Sequence, residues 1–252
     1  MRLGELLLWL DCQRELVKAR FAPQIAAQTG APGPAWRADS ANVPLGVKDY
    51  DAWYYNRPLA KAYWTHPGRS KNLVKMIETF APRTVFEFGS GLGHVLREAR
   101  RRGIGIVGTE TSDYAITHSV CPEAIVRIGE IPAHSLPFGD GAFDLVFSTE
   151  VMEHVSEEAT LPVLRELHRI CSGHALFTIN TFSLDEPGHI NVHPREWWLR
   201  AFAQVGFLHD EARWRELDRM KYLGWDVFVM RKAMPDGTCR LTGGAGPLRP
   251  AV

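Results

Sequence analysis

The chain has 252 residues, 45% hydrophobic and 23% charged, which suits one α/β domain with an appendage and excludes a disordered or fibrous protein. Its 29 basic and 29 acidic side chains cancel, so bulk charge makes no case for a nucleic-acid or membrane-surface partner, and no nucleic-acid partner is expected. Cys12, Cys121, Cys171 and Cys239 are scattered without a CxxC pair, which argues against a zinc ribbon or disulfide scaffold and fits a reducing, cytoplasmic compartment.

Residues 3–28 read as an amphipathic helix. Their apolar run is interrupted by Glu5 and followed by Asp11, too short for a membrane span. Such a helix packs on the core or on a second copy of the chain, so it is a candidate homo-oligomer contact. Residues 29–49 carry Pro and Gly without periodicity and read as a linker. The next stretch, YDAWYYNRPLAKAYWTH (50–66), is dense in aromatics. In 69–82, Leu73, Val74, Ile77 and Phe80 fall at helical spacing before Pro82.

A strand–helix alternation then begins. Strands are expected at 83–88, 104–109, 124–128, 143–148 and 174–180, with helices at 92–102, 112–119, 156–170 and 194–205. Two more strands are expected around 207–214 and 225–231, followed by a Gly- and Pro-rich tail. This alternation predicts an α/β fold whose mostly parallel sheet is covered on both faces.

The most informative segment is VFEFGSGLGH (85–94). A strand runs into Gly89-Ser90-Gly91-Leu92-Gly93 and a helix follows, so backbone can approach a ligand closely and offer unpaired N–H groups. Glu87 precedes the turn and would repel a pyrophosphate but welcome an ammonium group. Glu110 ends the next strand, where an acid can accept hydrogen bonds from both ribose hydroxyls.

These residues resemble motif I of the class I S-adenosylmethionine-dependent methyltransferases. GTETS (108–112), with Glu110 and Thr111, resembles the ribose-binding turn of that family. RIGEIPAHSLPFGDGAFDLVFSTEVMEHV (127–155) resembles its adenine-binding stretch and fourth strand. The resemblance covers about residues 70–232 and lies nearest the quinone-biosynthesis and small-molecule branch. It implies a Rossmann-like doubly wound sheet with an antiparallel C-terminal strand, plus an N-terminal helical extension. It also implies S-adenosylmethionine as cofactor, held by Glu87, Gly89, Ser90, Gly91, Gly93, Glu110 and Thr111. By the same likeness Glu130 meets the adenine amino group, Ile131 packs on the ring, and Thr149 and Glu150 flank the sulfonium side. The implied organisation is an extension at 1–68 acting as lid or oligomer contact, a cofactor-binding domain at 69–232, and a flexible tail at 233–252. All three acids are glutamates where aspartate is common. No Asn-Pro-Pro-Tyr motif follows strand four, which argues against the usual amino-group methylases of DNA and protein glutamine.

Methyl transfer to a hydroxyl needs a base, and histidine is the natural one. His154 follows strand four. His189 and His193 lie in EPGHINVHPREWW, the loop after strand five, at the sheet edge where ligands bind. These three are the candidate catalytic residues for an acceptor that is a small molecule or a glycan, methylated at oxygen. Tyr54, Tyr55, Arg57 and Tyr63 are candidate lid residues. No metal-ligand set stands out. Two rival readings are a non-catalytic S-adenosylmethionine-binding partner protein and an NAD(P)-dependent enzyme. Glu87 and the G-x-G-x-G spacing oppose the second.

Overall fold

The structure, a computed structural model, describes residues 49–57, 61, 64–129, 135–182, 188–220 and 226–233. The helix expected at 3–28, the linker up to residue 48, Tyr63, Glu130, Ile131 and the tail beyond residue 233 lie outside the described residues.

Seven strands form one sheet: β1 (Thr84–Phe88), β2 (Gly105–Glu110), β3 (Ile125–Arg127), β4 (Phe143–Thr149), β5 (Cys171–Ile179), β6 (Phe207–His209) and β7 (Asp226–Lys232). Their order is β3-β2-β1-β4-β5-β7-β6. The five N-terminal strands pair in parallel, and β7 inserts antiparallel between β5 and β6. This is the expected doubly wound sheet. β4 sits at its centre and β1 beside it, with Glu87 of β1 opposite Gly108 on one side and Phe147 on the other.

Strand residues alternate between two buried faces. Val85, Leu145, Phe147, Leu176, Val227 and Val229 pack with α2 (Pro67–Glu78), α3 (His94–Arg101) and α7 (Glu211–Asp218). Phe86, Val146, Ala175, Phe177 and Phe228 face the other way, onto α5 (Glu157–Ile170) and α6 (Arg195–Gln204). Trp198 belongs to that second layer and is fully buried, a core residue rather than a pocket wall.

Local chemistry sets the helix ends. The Ser156 hydroxyl caps α5, with Glu157 and Glu158 in the first turn and His168 and Arg169 in the last. The strand expected over 207–214 stops at His209, because the Asp210 carboxylate accepts the Arg213 N–H and starts α7. α1 (Ala52–Asn56) and α4 (Asp113–Thr117) pack beside the C-terminal edge of the sheet, where Tyr54, Tyr55 and Ala115 form a small separate core.

Candidate active site

The chain reverses direction of neighbour at β1: β2 lies on one side of it and β4 on the other. Open α/β sheets bind ligands at such a switch point, beyond the carboxyl ends of the strands. The glycine turn sits there. The Gly89 and Ser90 N–H groups both donate to the Thr109 carbonyl, at 3.1 and 2.9 Å. Gly89 has φ 75°, and a Cβ on it would stand 2.5 Å from Val151 Cγ2. Glycine is therefore required both by conformation and by space. Gly93 closes the turn through the Ser90 carbonyl and leads into α3.

The Glu110 carboxylate locks this turn. Its Oε2 accepts the Gly91 N–H at 2.7 Å, and its Oε1 accepts the Thr111 and Ser112 N–H groups at 2.8 and 2.9 Å. Glu87 is 1% exposed, and its Oε2 has no hydrogen-bond partner among the described residues. Burial pushes its carboxyl up to about 8, against the opposing pull of Arg69.

A directed hydroxyl chain runs along the tip of β4. Arg69 Nη2 donates to Thr149 Oγ1 at 3.1 Å, Thr149 and Thr178 share a 2.8 Å bond, and Thr178 Oγ1 donates to Glu150 Oε1 at 2.6 Å. Glu150 has φ 56°, a left-handed conformation that costs about 1–3 kcal/mol for a side-chain-bearing residue. Burial raises its carboxyl to about 7. Glu153, fully buried, accepts the Asn180 N–H at 3.0 Å through Oε1, while its carbonyl accepts the Ile190 and Asn191 N–H groups. Its side chain thus ties the turn after β4 to the end of β5, and its backbone to the loop before α6. Burial first, and then Glu150, hold its carboxyl well above the ordinary range.

Two of the three candidate histidines come together. The His154 and His189 rings meet edge to face at 4.7 Å. Asn180 Oδ1 accepts the Phe182 N–H, which fixes the amide so that Nδ2 donates to His189 Nδ1 at 3.1 Å. Neutral His189 then carries its proton on Nε2. His154 bonds the Gly188 backbone, and its Nδ1 has no partner among the described residues. Burial, then the neighbouring His189, push its ring down to about 3, so it is neutral at ordinary pH. His193 is placed differently. Its Nε2 lies 3.2 Å from Glu157 Oε2 and its ring stacks on Trp197 at 4.0 Å, contacts with α5 and α6.

The aromatic segment covers the site. Tyr50 and Tyr54 stand edge-on to His154 at 5.9 and 6.4 Å. Tyr55 reaches within 3.8 Å of where a Gly91 Cβ would be, and stacks on Tyr114 at 5.7 Å. Asn56 donates to the Tyr114 hydroxyl, Ser112 Oγ donates to the Tyr50 carbonyl, and the Arg57 guanidinium lies over the Tyr54 ring at 4.7 Å. Three site residues carried no motif: Arg69, Thr178 and Asn180. Position at the tip of β5 was the available signal for the last two.

Residues 86–179, from β1 through β5, match the methyltransferase domain family. The match covers a methyltransferase domain in the middle of the chain. An uncharacterized methyltransferase of Mycobacterium sp. (strain JLS) is 35% identical over 139 residues, 54% of this chain and 49% of the relative. The chain thus spans about half the length of the curated relative it matches. Two solved structures share the domain's fold. One is a TehB-like S-adenosylmethionine-dependent methyltransferase from Corynebacterium glutamicum, with TM-score 0.51 and 19% identity over 64% of this chain and 87% of that one. The other is magnesium protoporphyrin IX methyltransferase from Synechocystis with bound S-adenosylhomocysteine, with TM-score 0.53 and 12% identity over 71% and 91%. Among the described residues no helix is long and apolar enough to cross a membrane, and no group of three His, Cys, Asp or Glu could hold a metal ion.

Proposed function

We propose that the protein moves a methyl group from S-adenosylmethionine to a hydroxyl oxygen of a small-molecule or glycan acceptor. The observation that carries this reading is the pair of buried acids on adjacent strand tips around the glycine turn. Glu87 Oε2 is buried without a partner, which suits an ammonium group. Glu110 is pinned by three amides in an orientation that leaves lone pairs for ribose hydroxyls. Gly89, Ser90, Gly91 and Gly93 bring backbone against the ligand, Thr111 flanks the ribose, and Thr149 and Glu150 close the side nearest β4. Glu130 and Ile131 are assigned to the adenine by sequence alone.

When bound, S-adenosylmethionine supplies an activated methyl group and its own leaving group, so the protein's task is alignment, exclusion of water and removal of one proton. His154 fits the last task. Its unpartnered Nδ1 accepts the hydrogen bond of an acceptor hydroxyl and takes the proton as the new C–O bond forms. A ring pushed down to about 3 is a weak base, yet a hydroxyl that has gained a methyl is a far stronger acid, so the transfer runs downhill. His189, edge-on to the His154 ring at 4.7 Å and held by the Asn180 amide, positions that ring. His193, turned to Glu157 and Trp197, braces the loop between them.

His154 Nδ1 is shut off from water beneath Tyr50 and Tyr54. The acceptor therefore reaches it only when the segment around α1 moves, and residues 1–68 act as an extension whose aromatic end is a lid on the domain at 69–232. A cytoplasmic setting suits Cys121 and Cys171, both buried free thiols.

The test is calorimetric titration of the full chain with S-adenosylmethionine, S-adenosylhomocysteine and NADH, followed by a screen of hydroxyl and amine acceptors. Binding of both adenosyl ligands with turnover on a hydroxyl is expected. Preference for NADH overturns the cofactor assignment. Binding with turnover only on amines overturns the oxygen assignment.

A further inference from the structure

Tyr55 belongs to the aromatic segment and is buried, yet its phenol stands over the glycine turn. Its Cε1 and Oη lie 3.8 and 3.9 Å from where a Cβ on Gly91 would be, so the ring faces the room that this glycine leaves open. The ring stacks on Tyr114 at 5.7 Å, and the hydroxyl hydrogen-bonds the Ser112 side chain. Ser112 has one hydroxyl proton and gives it to the Tyr50 carbonyl. In its bond with Tyr55 the phenol is therefore the donor, which leaves the phenol oxygen as an acceptor. Glu110 grips the same two neighbours, taking the Gly91 N–H at 2.7 Å and the Ser112 N–H at 2.9 Å. Burial first, and then Glu110, keep the phenol protonated, well above its ordinary value.

We propose that Tyr55 is a cofactor-binding residue carried by the aromatic segment, accepting a hydrogen bond from one hydroxyl of the adenosine ribose while Glu110 accepts from the other. The inference rests on the methyltransferase reading and assigns a contact that no motif carries. A vicinal diol brings two donors. Three amides already occupy most of the roughly four lone-pair sites of the Glu110 carboxylate, so a second acceptor is favoured. Tyr55 supplies one at the same turn. Its ring needs little ordering on binding, because Tyr114 and Ser112 already hold it. The contact also joins cofactor to lid. Ser112 Oγ holds the Tyr50 carbonyl and Asn56 Nδ2 holds the Tyr114 hydroxyl at 2.8 Å, so α1 docks on the loop that follows the ribose acid. Bound ribose fastens that segment over the site, and the cofactor enters before the segment closes.

The test compares S-adenosylhomocysteine with its 2′,3′-dideoxy analogue by calorimetry on the full chain. Tyr55→Phe keeps the ring and removes only the hydroxyl. It is expected to weaken S-adenosylhomocysteine by about three- to tenfold and to leave the analogue bound as in the wild type. Hydrogen exchange on the wild type gives a second readout that does not depend on how the variant folds. At saturation of each ligand, the amides of α1 should exchange more slowly with S-adenosylhomocysteine than with the analogue. Unchanged affinity in Tyr55→Phe, or equal exchange with the two ligands, overturns the contact. Equal weakening of both ligands also overturns it, and makes the hydroxyl a packing group of the segment. Tighter binding by Tyr55→Phe overturns it by showing that the phenol competes with the ribose. In each of these cases S-adenosylhomocysteine still binds and the methyltransferase reading stands. A wild type that binds neither ligand overturns that reading, and the contact with it.

Discussion

The Gly91 amide donates to the Glu110 carboxylate at 2.7 Å, so the acid at the tip of β2 shapes the glycine turn that follows β1. One side chain thereby organises two neighbouring loops, since its other oxygen holds Thr111 and Ser112. Glu110→Ala strands three amides as well as removing the ribose acceptor. The variant is expected to bind S-adenosylhomocysteine at least about tenfold more weakly and to lose roughly 1–3 kcal/mol of stability. Calorimetry and urea unfolding measure both, and an E110A protein unchanged in each would show that the turn stands without its acid.

Gly89 illustrates a different constraint. At φ 75° an alanine is strained, and its Cβ would meet Val151 Cγ2 at 2.5 Å. The two costs, about 1–2 kcal/mol for the conformation and about 1–3 for the crowding, have separate cures. Gly89→Ala should be destabilised by both. Adding Val151→Ala, corrected for the Val151→Ala single variant, should recover the crowding part alone. Full recovery, or none, in a double-mutant unfolding cycle would contradict this division.

The sheet was legible in the sequence because its strands are short apolar runs bounded by turns, and because Val85 and Phe86 type neighbours both demand burial. The glycine turn and the two strand-tip acids were legible because each depends on residue type at a fixed local offset. What escaped depended on contacts distant in sequence or on a cap. α7 was hidden in a stretch read as strand, since Leu208 and Trp214 suited either period and only Asp210 marked the start of a helix. Arg69 stands 80 residues from Thr149 along the chain, so nothing local announced the bond. His193 shares a loop with His189, but spacing could not say that it would turn to Glu157 and Trp197 while His189 met His154.

Glu87 gives the protein a pH signature. Burial raises its carboxyl from 4.5 to about 8, so the folded chain holds a proton that the unfolded chain has released. This group's contribution is complete below about 4.5 and is lost as pH rises through 8. Glu87→Gln should abolish that decline, giving a flatter Tm profile between those limits. Ligand binding works in the opposite sense, because an ammonium beside Glu87 favours the carboxylate. Binding of S-adenosylhomocysteine at pH 7 should therefore release a proton, seen as a buffer-dependent calorimetric enthalpy. Its affinity should rise toward pH 8 in the wild type but not in Glu87→Gln. A buffer-independent enthalpy would mean that Glu87 is already ionised before the ligand arrives.

His154 acts in the complementary range. Its ring is pushed from 6.5 down to about 3, so the folded chain binds fewer protons than the unfolded chain between those values. Its contribution to stability is present above 6.5 and is lost as pH falls through 3. Together with Glu87, this places the most favourable range for the two groups between their ordinary values, about 4.5 and 6.5. His154→Gln should remove the acid-side loss and leave S-adenosylhomocysteine affinity unchanged, because no cofactor contact is assigned to this ring. Transfer to a hydroxyl acceptor should fall by about 10²–10⁴, the usual contribution of a positioned base. Carbon-13 NMR of labelled histidine gives a check that needs no acceptor: the His154 signal should hold its neutral shift from pH 8 to pH 5. A midpoint inside that interval would place the ring in contact with water, and would move the search for the base to the other face of the lid.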